Sequence, residues 1–179
     1  MIHPITIIQK YYRTDTELYH ILVKHSEQVR EKALEVSLLH PELSLDNEFI
    51  SEAAMLHDIG IFLCDAPRIH CHGTHHYIEH GYLGADLLRK EGLHNHALVC
   101  ERHTGTGISL EQIRSKNLPL PEREMKPVTL EEQVICYADK FFSKTDLNSE
   151  LAIDRIRIML GHHNPENIDI FDNWHKLFS

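Results

Sequence analysis

Four histidines and two aspartates stand where helical periodicity turns polar side chains inward. His25 follows Leu22 by three residues and precedes Val29 by four, on the apolar stripe of its helix. His57 comes four residues after Ala53 and seven after Ile50, and Asp58 beside it is a carboxylate at the inner end of an apolar helix. Asp139 lies in the same way between Ile135 and Phe142. His80 shares a face with Gly84, Leu87 and Leu88, and His103 closes the series His96, Val99, Cys100. An isolated histidine on an apolar face is usually a satisfied core residue. An ionised carboxylate, however, is costly to bury unless it is paired, hydrogen-bonded or bound to a metal. Two acids and four imidazoles on inward faces compensate one another best around a cation.

The donors are nitrogen and oxygen with no thiolate, a chemistry that suits Fe, Mn, Co, Ni or Zn. It is too rich in nitrogen for a dedicated calcium or magnesium cage. Six donors exceed what a single four-coordinate ion needs, so one or two divalent transition-metal ions are expected, the second sharing a bridging carboxylate with the first. The chain has 16 histidines, and His70, His72, His75 and His76 fall outside this set, in a loop rich in Cys and His. With Cys64 and Cys71 they would make a separate zinc site, but their spacing matches no common zinc pattern. A lid over the site or plain surface is the expectation for that loop.

The elements that must position these residues read as helices. Thr14 and Glu17 make a capping-box pattern ahead of Leu18, Leu22, Val29, Ala33 and Val36, a series broken near Pro41. A second helix is expected from about Asp46 to Gly60, a third from Tyr77 to Gly92, and a fourth from His94 to His103, ending at a turn bearing Gly105 and Gly107. Ser109 with Gln112, and Thr129 with Glu132, open two more, and the tail offers candidates near 149–160 and 165–178. No segment shows sustained two-residue alternation. The fold class is all-α, a bundle of about six to eight helices around a central metal site. One domain is expected over 1–179, with a core at about 18–145 and C-terminal helices over 149–178 packed on it.

Composition bounds the function. The 42% hydrophobic and 25% charged fractions over 179 residues are those of an ordinary globular domain. A net charge of -9 argues against sequence-independent nucleic-acid binding and against an anionic membrane surface. No apolar run approaches the roughly 18 residues of a membrane span, and the first residues lack the pattern of a signal peptide. Cys64, Cys71, Cys100 and Cys136 form no framework of short loops, as expected of buried thiols in a reducing, cytoplasmic setting. Ile168, Phe171, Trp174 and Phe178 would serve either a homodimer face or packing on the chain's own core.

The string Ala54-Met55-Leu56-His57-Asp58-Ile59-Gly60 is similar to the HDIG signature of the HD-domain metal-dependent phosphohydrolases. The order His, His-Asp, His, His, Asp around it resembles that of the family's two-metal members, over roughly residues 18 to 145. Carried over residue by residue, the resemblance implies that His25, His57, Asp58 and Asp139 hold a first metal. Asp58 would bridge to a second, held by His80 and His103. Relatives often place two histidines in tandem before the glycine-bearing turn; here Arg102 stands in place of the first. Arg102 would then bind a phosphate oxygen through its fork of donors, with Lys140 neutralising charge nearby. For Lys144 and Thr104 an ordinary surface role is the expectation. The implied activity is hydrolysis of a small phosphorylated molecule of nucleotide type by metal-activated water, with Asp58, Arg102 and Lys140 at the reaction centre. The same ligand set also resembles that of di-iron oxygenases of the family, and a degenerate, ligand-sensing domain is the non-catalytic alternative.

Overall fold

The computed structural model describes residues 2–179. Among them are nine α-helices: α1 Pro4–Tyr11, α2 Glu17–Leu39, α3 Asn47–Leu56, α4 His80–Lys90, α5 His94–Arg102, α6 Leu110–Ser115, α7 Leu130–Asp139, α8 Ile153–His163 and α9 Glu166–Phe178. The all-α reading holds. One small exception is a hairpin in which β1 (Asp65–Ala66) pairs antiparallel with β2 (Cys71–His72), in the register Asp65↔His72 and Ala66↔Cys71. Among the described residues no helix is long and apolar enough to cross a membrane.

Local chemistry explains most helix starts. Asp46, Ser109 and Thr129 each accept a backbone N–H from the third residue on, and Ser109 with Gln112 closes a full capping box. The cap of α2 is Thr16, which accepts from Tyr19 N at 3.3 Å; it is not Thr14. Thr14, Asp15 and the preceding turn belong to the link from α1, a short helix whose apolar content is too brief to stand out. The expected start at Tyr77 is a 3-10 turn over Tyr77–Glu79 that runs into α4, and the expected helix near 149 begins at Ile153.

Helix α2 packs on α3 and α7, α4 lies along α5, and α8 pairs with α9, which rests on α7. Two apolar clusters result. The first gathers Val29, Ala33, Ile50, Ala54, Val99 and Ile135 with Phe171, Trp174 and Phe178. The second gathers Ile8, Leu22, Leu56, Ile59, Leu88, Ala97 and Cys100. The C-terminal aromatics are therefore spent on the chain's own core. His25 falls between Leu22 of one cluster and Val29 of the other; His57 and Asp58 fall between Ala54 and Ile59. The polar residues occupy the seam between the clusters, where the helices must approach closely.

Two glycines set that approach. A Cβ on Gly60 would lie 2.3 Å from the His80 carbonyl oxygen and 2.5 Å from Gly84 N; one on Gly84 would lie 2.6 Å from Cys100 Sγ. The turn after Asp58 thus docks backbone to backbone on α4. Gly60→Ala is expected to destabilise the fold by about 1–3 kcal/mol or more, measured by denaturant unfolding. It should also weaken metal retention, because His80 and Asp58 sit on opposite sides of that contact.

Candidate metal centre

The six expected ligands converge. His57 is the C-cap residue of α3, His103 that of α5, and His80 is the first residue of α4, so three of the four histidines project from helix ends. Each of these three donates Nδ1–H to the carbonyl three residues earlier: His57 to Ala54 at 2.6 Å, His80 to Tyr77 at 2.6 Å and His103 to Cys100 at 2.7 Å. Those bonds hold the Nδ1 proton, so Nε2 is the atom that each ring presents to the site. His25 reaches in from the middle of α2, with Nε2 3.0 Å from Asp139 Oδ1.

Asp58 is fully buried, and its two oxygens are divided between two groups of histidines. Oδ2 lies 3.2 Å from His25 Nε2 and 3.0 Å from His57 Nε2. Oδ1 lies 3.3 Å from His80 Nε2 and 3.4 Å from His103 Nε2. None of these approaches lies on the line of a hydrogen bond; both Asp58 oxygens and His57 Nε2 are buried polar atoms without a hydrogen-bond partner. His80 Nε2 and His103 Nε2 face one another at 3.0 Å, with the Nδ1 of each ring held by a backbone carbonyl.

A cation resolves all of these conflicts. Donor atoms of His25, His57, Asp58 and Asp139 lie within 4.8 Å of one another, as do those of Asp58, His80 and His103. Donor spacings of 3.0–3.5 Å are the edges expected of a coordination shell with bonds of about 2.0–2.2 Å. The residues therefore fit one divalent ion in each group, with Asp58 shared. Among the described residues the His70–His76 loop with Cys64 and Cys71 is not drawn together into a cluster of this kind. Its His75 bonds Glu79 instead, and both cysteines are buried free thiols.

Two lysines complete the charge pattern. Lys140 Nζ lies 2.6 Å from Asp139 Oδ2 and donates to the His103 carbonyl at 3.1 Å. Lys144 Nζ lies 2.6 Å from Asp58 Oδ2, its side chain only 14% exposed. This corrects the surface reading of Lys144: it lies in the irregular segment after α7, where helical periodicity gives no direction for a side chain. Burial pushes the Asp139 and Asp58 carboxyls up, but the lysines and imidazoles around them prevail and hold both well below the usual range. Burial drives the His103 imidazole down to about 4. Burial acts in the same direction on His57, but Asp58 and Asp139 together outweigh it and raise that imidazole to about 9.

Arg102 has a different partner from the one expected. Its Nη1 donates to both oxygens of Glu132, at 3.0 and 2.9 Å. One residue before a helix-end ligand is a step of about 100° round the helix, and that step turns Arg102 toward α7. The metal groups open on a cavity of about 650 Å³ whose lining includes His80, His103, Asp139, Lys140, Lys144 and Thr104, but not Arg102. Part of its wall comes from α8 and α9, whose contribution has no signature in the sequence.

Residues 22–144 match the family model for the HD domain. The chain is 34% identical over 148 residues to an uncharacterised protein of Methanocaldococcus jannaschii, covering 80% of each. It is also similar to two proteins named tRNA (cytidine(56)-2'-O)-methyltransferase: 32% identical over 123 residues in Thermoplasma volcanium and 29% over 124 residues in Picrophilus torridus. The match covers 68% and 69% of this chain but only 32% of each methyltransferase. No solved structure matches the chain.

The raised His57 imidazole dictates how metal uptake depends on pH. Below about 9 a ligating metal must displace its proton, so apparent affinity of the first group rises with pH, by up to about tenfold per unit, until that value is passed. Calorimetry at pH 7 in two buffers of different ionisation enthalpy should show about one proton released per first ion bound. No release would contradict the assignment of His57 as a ligand.

Proposed function

This chain belongs to the HD-domain family, and from that premise we propose that it is a metal-dependent phosphohydrolase acting on a small phosphorylated substrate of nucleotide type. HD domains bind divalent metals, and the observation that carries the reading is the division of the Asp58 oxygens between two histidine groups, with two ammonium groups alongside. His25, His57, Asp58 and Asp139 would hold one ion, and His80, His103 and Asp58 the other. Bound there, the ions supply Lewis acidity and a water acidified enough to attack phosphorus near neutral pH.

The chain's own groups do the rest. Lys144 and Lys140 face the cavity and would draw in the phosphate and offset the negative charge that grows on its oxygens. Lys140 is also tied to the His103 carbonyl, which links the position of that donor to a ligand's backbone. Asp139 presents Oδ1 to the histidines while Lys140 holds Oδ2, fixing the carboxylate's direction. In a chain of net charge -9, a local cationic cavity favours a small anion over a polyanionic backbone. The ammonium groups would suit an anionic substrate for an oxygenase as well, so the deciding measurement is phosphate release without oxygen uptake. Two relatives carry the matched stretch in chains named for tRNA 2'-O-methylation, so 2'-O-methylated nucleotides belong in the substrate panel.

Asp58→Ala is expected to lose both ions in metal analysis and to lower turnover by more than the about 10–100-fold that follows loss of a ligand's outer partner. Lys144→Met should lower turnover as well. Arg102→Ala should leave turnover near that of the parent and reduce stability by about 1–3 kcal/mol, because Glu132 loses a buried partner. An Arg102 variant as inactive as the Lys144 variant would place the arginine, not only the lysine, at the reacting phosphate.

A further inference from the structure

The helices beyond residue 144 lie outside the segment matched to the HD domain, yet they build one wall of the reaction cavity. Lys116, at the end of α6, donates to the His163 carbonyl at 2.8 Å and ties the α8–α9 turn to the rest of the cavity rim. Asn167, in the first turn of α9, is 6% exposed and lines the same cavity. Its Oδ1 accepts from the hydroxyl of Thr106, a residue 1% exposed, at 2.9 Å. That bond engages the amide oxygen. Nδ2 is left without an acceptor among the described residues, 3.6 Å from where a Cβ on Gly105 would stand. Gly105 has a φ of +63° and lines the cavity too, so the bare backbone of the turn after His103 leaves the Asn167 donor uncovered.

We propose that Asn167, held by Thr106, is a specificity-determining donor that recognises the part of the substrate that is not phosphate. The chemistry follows from the lining. Lys140 and Lys144 pair with the ligand carboxylates Asp139 and Asp58, and Lys116 is engaged by the His163 carbonyl. The lining also carries Ile108, Leu118 and Met159 with the Asn167 amide. That combination fits an uncharged, largely apolar or planar leaving group bearing a hydrogen-bond acceptor, a carbonyl oxygen or a ring nitrogen. A donor with no acceptor from the protein also discriminates: a leaving group with no acceptor would strip it of solvent without replacing the bond. The proposal names what the phosphohydrolase site selects and rests on that reading for the position of the phosphate.

Asn167→Asp tests it, because the carboxylate keeps an acceptor for Thr106 and replaces the free donor by an acceptor. The probes are cytidine and adenosine 5'-monophosphate and inorganic phosphate, titrated calorimetrically into the metal-loaded protein. The parent should bind at least one nucleotide more tightly than phosphate, and Asn167→Asp should cut that nucleotide-to-phosphate ratio by about tenfold. Any general weakening from the added charge cancels in the ratio. Thr106→Val, which frees the amide to turn over, should give a smaller loss in the same direction. An unchanged ratio in Asn167→Asp, or a parent with no preference for either nucleotide, would overturn the proposal. If the ratio falls as expected while no phosphate is released from any nucleotide, the hydrolase reading fails and the binding role of Asn167 stands.

Discussion

Asp58 is completely enclosed, and neither of its oxygens accepts a hydrogen bond. A carboxylate in that position is sustained only by positive charge at close range. The structure supplies four imidazole nitrogens within 3.4 Å and one ammonium at 2.6 Å. Three of those imidazoles have already committed their Nδ1 protons to backbone carbonyls, so each offers only Nε2 to the site. One ion in each group of donors would engage all of these atoms at once. The helix-end placements, the carbonyl tethers and the division of the carboxylate follow from that one requirement.

Meeting it constrains the packing. The donors arrive from five helices and the turns after them, and they must meet within a few ångströms without filling the seam with apolar atoms. The two apolar clusters solve this by lying on either side of the polar residues, each rigid enough to hold the helices at fixed separation. The contact between Gly60 and Gly84 brings the turn after Asp58 against the helix that carries His80 at backbone distance. A side chain at either position would push apart two halves of a ligand set that only a close approach can assemble.

How far the site is legible in the sequence depends on whether a residue's direction is set by its own helix. His25, His57, Asp58, His80, His103 and Asp139 lie within helices or at their ends, where periodicity fixes the inward face, and all six converge. Arg102 misleads because the tandem position beside His103 suggests a shared direction, whereas adjacent residues on a helix diverge, and α7 offers Glu132 as a partner. Lys144 and Asn167 are opaque for another reason. Lys144 follows the last turn of α7, where no period applies. Asn167 reaches the cavity only through the packing of a C-terminal hairpin on distant elements. The cap of α2 is Thr16 rather than Thr14 because both are capping residue types close to the helix start, and only the geometry of the preceding turn decides between them.

The lysines give the site its sign. Asp58 with Lys144 and Asp139 with Lys140 form two buried pairs whose formal charges cancel. The carboxylates are thereby neutralised before any ion arrives, and each divalent ion held by the imidazoles adds uncancelled positive charge. A cavity of that sign, in a chain whose total charge is -9, draws field lines from a small opening rather than a broad surface. Such a field would favour the compact anions proposed as substrates over extended polyanions, which face a repulsive exterior. On that reading, selection among compact anions would fall to the neutral part of the lining, to which Ile108 and Leu118 contribute as well as Met159 and Asn167 of the C-terminal helices.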